Sequence, residues 1–331
     1  DCYTGRSPLE AASIGIDLAP DEYAIRCNLV TLSGEPDYRS KTMEDYCAGD
    51  ISTPEAAELI RYLAEKLPDG IRLYPGVSYR HCLVWKNVAE DIGELTPPHD
   101  ISGRRITEYL PVPGKAGILL DLMEKSYELL KDHPVNRKRI AEGKRPANSM
   151  WLWGQGRKAA LKPFSGLYGL KASVISAVDL IKGIGVLAKM EVLDVPGATG
   201  YIDTNFDGKA QAAIDAFARG QDLVYVHVEA PDECGHRGEA ANKVRAIELI
   251  DRKILGPVRR ALEAQGDYRI LLLPDHPTPL AIKTHSPEPV PYLIYDSRRK
   301  RPGVASFTES TAREHGNYEP DASILMKNLI H

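Results

Sequence analysis

Three short segments, each predicted to be a loop, carry carboxylates and imidazoles at spacings that suit metal binding. The candidate ligands, in chain order, are Asp232, His236, Asp275, His276 and His285. Carboxylate oxygens and imidazole nitrogens bind divalent ions such as Zn²⁺ and Mn²⁺. One Asp-x-x-x-His or Asp-His pair is common by chance and is most often a surface feature. The three segments in succession predict a metal site.

Two of these segments follow apolar runs that are rich in β-branched or aliphatic residues. Leu223–Val228 precedes the first segment, and Ile270–Leu273 precedes the second. Such runs are typical of strands that are covered on both faces. In an open parallel sheet, ligands bind beyond the carboxyl ends of the strands. We therefore expect the five candidate ligands to converge in one cleft.

The second half of the chain alternates predicted strands and helices. This alternation indicates an α/β fold with a mainly parallel sheet and helices on both faces. The predicted helices are Ser173–Met190, Gly208–Arg219, Glu239–Gln265 and Asp321–Leu329. The predicted strands are Glu191–Val195, Leu223–Val228, Ile270–Leu273 and Pro291–Tyr295.

Residues 21–147 have a different pattern. Ala24–Leu32 and Val77–Trp85 read as strands, Thr53–Leu67 and Gly114–Lys131 read as helices, and proline-rich turns separate them. We interpret this region as a smaller α+β lobe inserted into the parallel-sheet domain. The predicted core domain then comprises residues 1–20 and 148–331, and the predicted lobe comprises residues 21–147.

Composition excludes several classes of function. The chain has 331 residues with 43% hydrophobic and 27% charged residues, and its net charge is −4. This balance offers no electrostatic footprint for nucleic acid, and no apolar run reaches the length of a membrane span. The five cysteines are scattered and form no Cys-x-x-Cys pair, which favours the reducing cytoplasm. The oligomeric state is left open.

A family resemblance becomes specific when further segments are added to the ligand pattern. These segments are Tyr3–Ala12, Ser78–His81, Trp151–Gly156, Gly169–Lys171 and Pro196–Gly200. Together with the order of the ligands, they resemble the archaeal-type cofactor-independent phosphoglycerate mutases of the alkaline-phosphatase superfamily. The resemblance covers essentially the whole chain. It implies an alkaline-phosphatase-like core in which the inserted lobe acts as a lid.

The resemblance also implies two divalent ions, which could be manganese, zinc, cobalt or magnesium. Asp232, His236 and His285 would hold one ion, and Asp275 and His276 would help to hold the other. The family places a further Asp ligand and its nucleophilic Ser before the Tyr-Thr-Gly-Arg segment, which begins here at residue 3. We therefore expect the nucleophile upstream of Asp1, no catalytic serine within these 331 residues, and no mutase activity from them alone.

Cationic side chains are candidates for contacts with the substrate. Arg26 and Arg80 lie on predicted strands of the lobe, and His81 follows Arg80. Lys171 stands at a predicted helix entrance, and Arg157 follows a Gly-x-Gly turn. A guanidinium fork matches both carboxylate and phosphate. A surface ion pair is the alternative role for each of these residues.

The leading hypothesis is an intramolecular phosphotransferase that interconverts 3-phosphoglycerate and 2-phosphoglycerate through a phosphoserine. A small phosphorylated molecule is then the partner. A homoserine-kinase-like phosphotransferase or a phosphomonoesterase would use the same site on another substrate. A metal-binding remnant without catalysis is the non-enzyme alternative. A serine in a Gly-Ser-Asp-like context shortly before Asp1 would favour the enzyme over the remnant.

Overall fold

A computed structural model describes residues 5–88, 92–112, 114, 116–299 and 301–331. The predicted segment Tyr3–Ala12 begins outside these residues. The chain is a mixed α/β protein that divides into two compact units. Unit 1 comprises residues 1–161 and 182–187, and unit 2 comprises residues 162–181 and 188–331. Within the described residues, no helix is both long enough and apolar enough to cross a membrane.

Unit 1 is built on an antiparallel sheet. Its elements are α1 (Ser7–Ser13), β1 (Glu22–Leu32), β2 (Met43–Asp45), α2 (Thr53–Ala64), β3 (Ile71–Tyr74), β4 (Arg80–Lys86), α3 (Gly117–Leu130), α4 (Pro134–Ala141) and β5 (Ser149–Arg157). The strand order is β2-β1-β4-β3, and β5 also pairs with β1. All eleven residues of β1 are buried, so this strand is the centre of the unit.

The boundary of unit 1 differs from the division predicted at residues 20 and 147. The strand β5 pairs with β1 from Tyr23 opposite Arg157 to Val30 opposite Ser149. Backbone pairing over this length joins β5 to the sheet of unit 1, because an unpaired buried strand would leave its amides without partners. Sequence patterning missed β5, since its two tryptophans and two glycines do not alternate.

Unit 2 carries the remaining elements. They are α5 (Phe164–Tyr168), β6 (Ala172–Ile175), α6 (Asp179–Leu187), β7 (Glu191–Val192), α7 (Phe206–Ala218), β8 (Leu223–Val226), α8 (Ala230–Arg237), α9 (Ala240–Leu249), α10 (Gly256–Gln265), β9 (Arg269–Leu272), β10 (Leu293–Asp296), α11 (Glu309–His315) and α12 (Ile324–Ile330). Residues 182–187 of α6 belong to unit 1. Strands β7, β6 and β8 pair in parallel in that order, whereas β9 and β10 pair antiparallel.

Two predicted helices of unit 2 needed correction. The helix expected over Ser173–Met190 is a strand, β6, followed by α6, because Ala172–Ile175 pairs with both neighbouring strands. The helix expected over Glu239–Gln265 contains a π-helical stretch at Ile250–Leu255 between α9 and α10. Pro257 follows that stretch. Since proline has no N–H to donate and its ring crowds the preceding turn, a wider turn accommodates it.

Candidate metal centre

Helix α8 carries two of the candidate ligands on one face. Asp232 and His236 are one helical turn apart, and Asp232 Oδ2 lies 3.3 Å from His236 Nε2. The sequence analysis placed both residues in a loop after β8, which was wrong. Pro231 occupies the first turn of the helix and Gly238 ends it at φ 73°, so the segment has an ordinary helix start and stop. The spacing of four residues therefore aligns the side chains.

His285 completes a group of three ligand atoms. Its Nε2 lies 3.4 Å from Asp232 Oδ1 and 3.1 Å from His236 Nε2. One ligand atom from each of these three residues lies within 4.8 Å of the others. Two ligands at about 2.0–2.1 Å from a tetrahedral ion are roughly 3.3–3.4 Å apart. The observed separations of 3.1–3.4 Å are of this size, with His236 next to Oδ2 and His285 next to Oδ1 of Asp232.

The tautomer of His236 is set by the backbone. Its Nδ1 lies 3.0 Å from the carbonyl oxygen of Lys283, and a carbonyl oxygen only accepts. Nδ1 therefore carries the hydrogen in the neutral ring, and Nε2 keeps its lone pair for a ligand. Lys283 has φ 53°, a left-handed conformation that is uncommon outside glycine. That turn aims its carbonyl at the imidazole.

Asp275 and His276 lie beside this group, after β9. The rings of His276 and His285 are 3.7 Å apart between centroids, with an angle of 35° between their planes. Asp275 Oδ2 is 3.3 Å from His276 Nε2. All five predicted ligands thus lie in unit 2, and the structure brings four of their side chains into one connected cluster with Asp275 at its exposed edge.

Sequence reasoning missed Thr278, which joins the two parts of the cluster. Its hydroxyl donates to Asp232 Oδ1 and lies 3.5 Å from His276 Nδ1. Its carbonyl accepts from Lys243 Nζ at 2.8 Å. A Cβ on Gly235 would stand 2.6 Å from that same carbonyl oxygen, so only glycine lets α8 approach this closely. The threonine followed the Asp-His pair in the sequence, but a lone hydroxyl gave no signal.

His227 is a second residue to which the sequence gave no role. It follows β8, and its Nδ1 pairs with the buried Ser176 hydroxyl at 3.1 Å. Burial and the cation of Lys209 lower the pKa of His227, while the carboxylates of Asp275 and Asp232 act in the opposite direction. The ring is therefore neutral near pH 7 and lies within electrostatic reach of the cluster.

The candidate substrate residues divide between the units. Arg26, Arg80, His81 and Arg157 lie in unit 1, and Lys171 lies in unit 2. Lys171 precedes β6 and not a helix, which corrects its predicted setting. Its backbone N–H donates to Asp222 Oδ2 at 2.8 Å. Because Asp222 directly precedes β8, this hydrogen bond links the starts of β6 and β8.

The residues of unit 1 have distinct environments. Arg26 is buried on β1 and pairs with Glu10, whereas Arg80 is exposed at the start of β4. Arg157 donates to the carbonyl of Pro20 at 3.2 Å. Burial lowers the pKa of His81 to about 3, so its imidazole is neutral and contributes no cation. His81 stays a predicted substrate contact, as a neutral imidazole and not as a cation.

Comparison with known proteins identifies the family. Residues 1–136 match the family model described as 2,3-bisphosphoglycerate-independent phosphoglycerate mutase. Proteins with that name from Methanothrix thermoacetophila and Methanosarcina acetivorans are each 49% identical to this chain; both alignments cover 99% of it, and they cover 81% and 82% of the respective relative. A probable mutase of the same name from Geobacter sulfurreducens is 47% identical over 99% of this chain and 82% of its own length.

Solved structures agree in fold. A protein from Pyrococcus horikoshii matches with a TM-score of 0.73 at 26% identity, over 94% of this chain and 74% of its own. A cofactor-independent phosphoglycerate mutase from Thermoplasma acidophilum matches with a TM-score of 0.61 at 25% identity, over 99% and 81%. The chain belongs to the family of 2,3-bisphosphoglycerate-independent phosphoglycerate mutases, as the resemblance predicted.

Proposed function

We propose that this protein interconverts 3-phosphoglycerate and 2-phosphoglycerate on a centre of two divalent ions. The observation that carries the proposal is the triangle of ligand atoms from Asp232, His236 and His285, one from each residue, which lie within 4.8 Å of one another and can share one ion. The family supports the reaction class, and the triangle supports our proposal for its place in this chain.

The donor set fits hard or borderline divalent ions. Asp232, His236 and His285 would hold one ion, and Asp275 and His276 would help to hold a second, with manganese, zinc, cobalt and magnesium as candidates. When bound, such ions neutralise charge on the phosphoryl oxygens and lower the pKa of a hydroxyl that acts as nucleophile. The neutral tautomer of His236 leaves Nε2 available for this role.

The surrounding residues would hold the ligands in place. The Thr278 hydroxyl orients the carboxylate of Asp232, and the Lys283 carbonyl orients the ring of His236. Stacking of His276 on His285 restrains both imidazoles. Such outer contacts commonly change metal affinity or activity by about 10- to 100-fold when they are removed.

Substrate recognition would fall to cations outside this cluster. Phosphoglycerate carries a carboxylate and a phosphate, and Arg26, Arg80 and Lys171 are our candidates for contacts with these groups. The neutral His81 and the backbone-bound Arg157 are weaker candidates, for the physical reasons given above. In this proposal unit 2 is an alkaline-phosphatase-like core and the lobe in unit 1 is a lid that limits escape of the intermediate.

The test is an enolase-coupled assay on the product of the complete reading frame, with each of the four metals supplied in turn after chelation. We expect metal-dependent formation of 2-phosphoglycerate. Release of inorganic phosphate without isomerisation would instead identify a phosphomonoesterase. Metal binding with neither reaction would identify a metal-binding protein outside the family's chemistry.

We also propose the cytoplasm as the location. Four cysteines lie within the described residues, and all four are free. Burial raises the pKa of Cys27 and Cys82, the latter to about 12, so both thiols are chemically quiet there. This pattern is ordinary for a protein in a reducing compartment.

A further inference from the structure

One cluster in unit 1 has more arginines than the carboxylates that pair with them among the described residues. Helix α1, the residue that precedes it, and strands β1, β4 and β5 contribute its members. We call it the arginine cluster, and it consists of Arg6, Arg26, Arg80, Glu10 and Trp153. Glu10 pairs with both Arg6 and Arg26. Burial lowers the pKa of Arg26, and the charges of Arg6 and Arg80 lower it further. An anion is the natural complement of such a group.

Glu10 joins two of these arginines. Its Oε1 accepts from Arg6 Nε at 2.7 Å, and its Oε2 accepts from Arg26 Nε at 2.9 Å. A guanidinium has five N–H donors in a planar fork, and the carboxylate engages each fork through Nε. The terminal nitrogens of both arginines are therefore not required for these two ion pairs.

Arg26 is held on its other sides as well. The residue is only 8% exposed, and its guanidinium carbon lies 4.1 Å from the ring centroid of Trp153. The indole is fixed in turn, because Trp153 Nε1 donates to Asn28 Oδ1 at 3.0 Å. Burial lowers the pKa of Arg26 to about 10 and Glu10 opposes that shift, so the side chain keeps its charge at pH 7.

The backbone at Gly154 lies close to the Arg26 side chain. Gly154 has φ 62°, and a Cβ there would lie 3.5 Å from Arg26 Cδ. The Ser7 hydroxyl donates to the Gly154 carbonyl, which ties α1 to β5 next to Glu10. The glycine is therefore required by its left-handed conformation. The result is a rigid support for the two guanidiniums.

We propose that Glu10 is a positioning residue that holds Arg6 and Arg26 as a receptor for an oxyanion. The inference that the cluster binds an oxyanion is drawn from the residues of the cluster alone. Its assignment to the carboxylate or the phosphate of phosphoglycerate rests on the proposed function. A planar fork that is locked before binding loses little conformational entropy when the anion arrives, which is the advantage that the Glu10 pairing supplies.

The variant Glu10→Gln gives a test in which two explanations predict opposite signs. If Glu10 only neutralised charge, its removal would leave a more positive cluster and tighter anion binding. If it positions the arginines, its removal weakens binding. We expect the dissociation constant to rise by about fivefold to tenfold, which corresponds to loss of one charge-assisted hydrogen bond.

Trp153 offers a local signal for this measurement. The full chain is titrated with inorganic phosphate and separately with D-glycerate, and tryptophan fluorescence is followed. Trp153→Phe identifies the part of the signal that comes from the indole under Arg26. The phosphate and glycerate arms show which kind of oxyanion the receptor takes. Arg26→Lys keeps the charge but removes the fork, and it should weaken binding as Glu10→Gln does.

Two further variants guard against a folding artefact. Arg6→Met changes a half-exposed side chain, so it should leave the fold intact and still weaken binding. Glu22 lies on β1, as Arg26 does, and forms a separate ion pair with Arg72 of β3. Glu22→Gln removes that pair and should not change the dissociation constant for the anion. Equal or tighter binding by Glu10→Gln, or no Trp153 response to either anion in the unmodified chain, would overturn the proposal.

The mutase assay separates this inference from the proposed function. If the anion response is present and isomerisation is absent, the receptor stands and the mutase proposal falls. If isomerisation occurs and neither anion perturbs Trp153, the receptor falls alone. If the anion response and isomerisation are both observed, we expect Glu10→Gln to raise the KM for 3-phosphoglycerate more than it lowers kcat. The reason is that the receptor would bind the substrate in the ground state as well as in the transition state.

Discussion

The two units bury their sequences in different ways. The main core cluster of unit 1 includes fully buried residues on β1, α2, β4 and β5, among them Ile25, Leu59, Leu83 and Trp151. Among the described residues of unit 2, the largest such cluster has six buried members. None of the four residues of β8 is buried. Unit 1 is therefore organised around apolar packing to a greater degree than unit 2.

The difference teaches where each unit gets its stability. Unit 1 excludes water from a broad sheet, which contributes roughly 25 cal/mol for each Å² of apolar surface buried. Unit 2 brings the side chains of Asp232, His236 and His285 to within 3.1–3.4 Å of one another. Two imidazole nitrogens that face each other need a shared hydrogen or a cation between them. Unit 2 should therefore depend on a bound ion, and unit 1 should not.

The largest expected effect comes from removing the carboxylate of the centre. In the product of the complete reading frame, Asp232→Asn should lower kcat/KM for phosphoglycerate by about a thousandfold or more, because metal-dependent stabilisation of the transition state is worth several kcal/mol. Metal content after dialysis should fall in parallel. The amide oxygen of the asparagine can still accept from the Thr278 hydroxyl, so the local hydrogen bond is kept. The loss of activity then measures the effect of removing the negative charge.

A matched substitution on a neighbouring helix controls for this change. Asp215 is exposed on α7 and accepts from Gln211 at 2.8 Å. Asp215→Asn should leave both kcat/KM and metal content unchanged. Full metal occupancy in the Asp232 variant would contradict the assignment of the triangle as a ligand set.

A smaller effect is expected when the ion is removed from the unmodified chain. A chelator should lower the free energy of local unfolding in unit 2 by about 2.7 kcal/mol, if the metal had been present at 100 times its dissociation constant. Amide hydrogen exchange resolves the two units. Protection in α8 should fall, while protection in β1 should stay the same. An equal loss of amide protection in both units would contradict the inference that only unit 2 depends on a bound ion.

The candidate ligands could be predicted to lie near one another because their order along the chain is independent of local secondary structure. Asp232 and His236 were assigned to a loop that is in fact helical, yet their pairing was unaffected. A spacing of four residues aligns two side chains on a helix, and a strand end brings neighbouring segments together in any case. The proximity of these side chains therefore does not depend on the secondary structure that was assigned to them.

The supporting residues could not be predicted in the same way. Thr278 and the Lys283 carbonyl act through tertiary contacts with α8, and no local pattern reports such contacts. Strand β5 was missed because burial on both faces removes the alternation that marks a strand. The antiparallel pairing of β9 with β10 also lay beyond the sequence, since it depends on a long connection and not on composition.

The smallest expected effect is a loss of the stability of unit 1 at acid pH. His81 is buried on β4, and Gly76 N–H donates to its Nδ1 at 3.0 Å. Nε2 therefore carries the hydrogen, and it has no partner among the described residues. Burial lowers the pKa of the ring to about 3 in the folded chain, whereas an unfolded histidine has a pKa near 6.5.

The sign of the pH dependence follows from proton counting. Between pH 6.5 and about 3 the unfolded chain binds a proton at His81 that the folded chain does not. Stability should therefore fall as pH falls through this window, by up to about 1.4 kcal/mol for each pH unit from this residue. Urea unfolding of the unmodified chain and of His81→Gln, measured at pH 4.5, 5.5 and 7.5, isolates that slope by difference.

His133→Gln provides the comparison for this measurement. Burial also lowers the pKa of His133, but its side chain is only partly buried at the start of α4. Its removal should flatten the slope much less than His81→Gln does. If both variants kept the slope of the unmodified chain, His81 would be charged or solvated in the folded state. The orphaned Nε2–H would then have an acceptor, and the acid sensitivity of unit 1 would have to come from other groups.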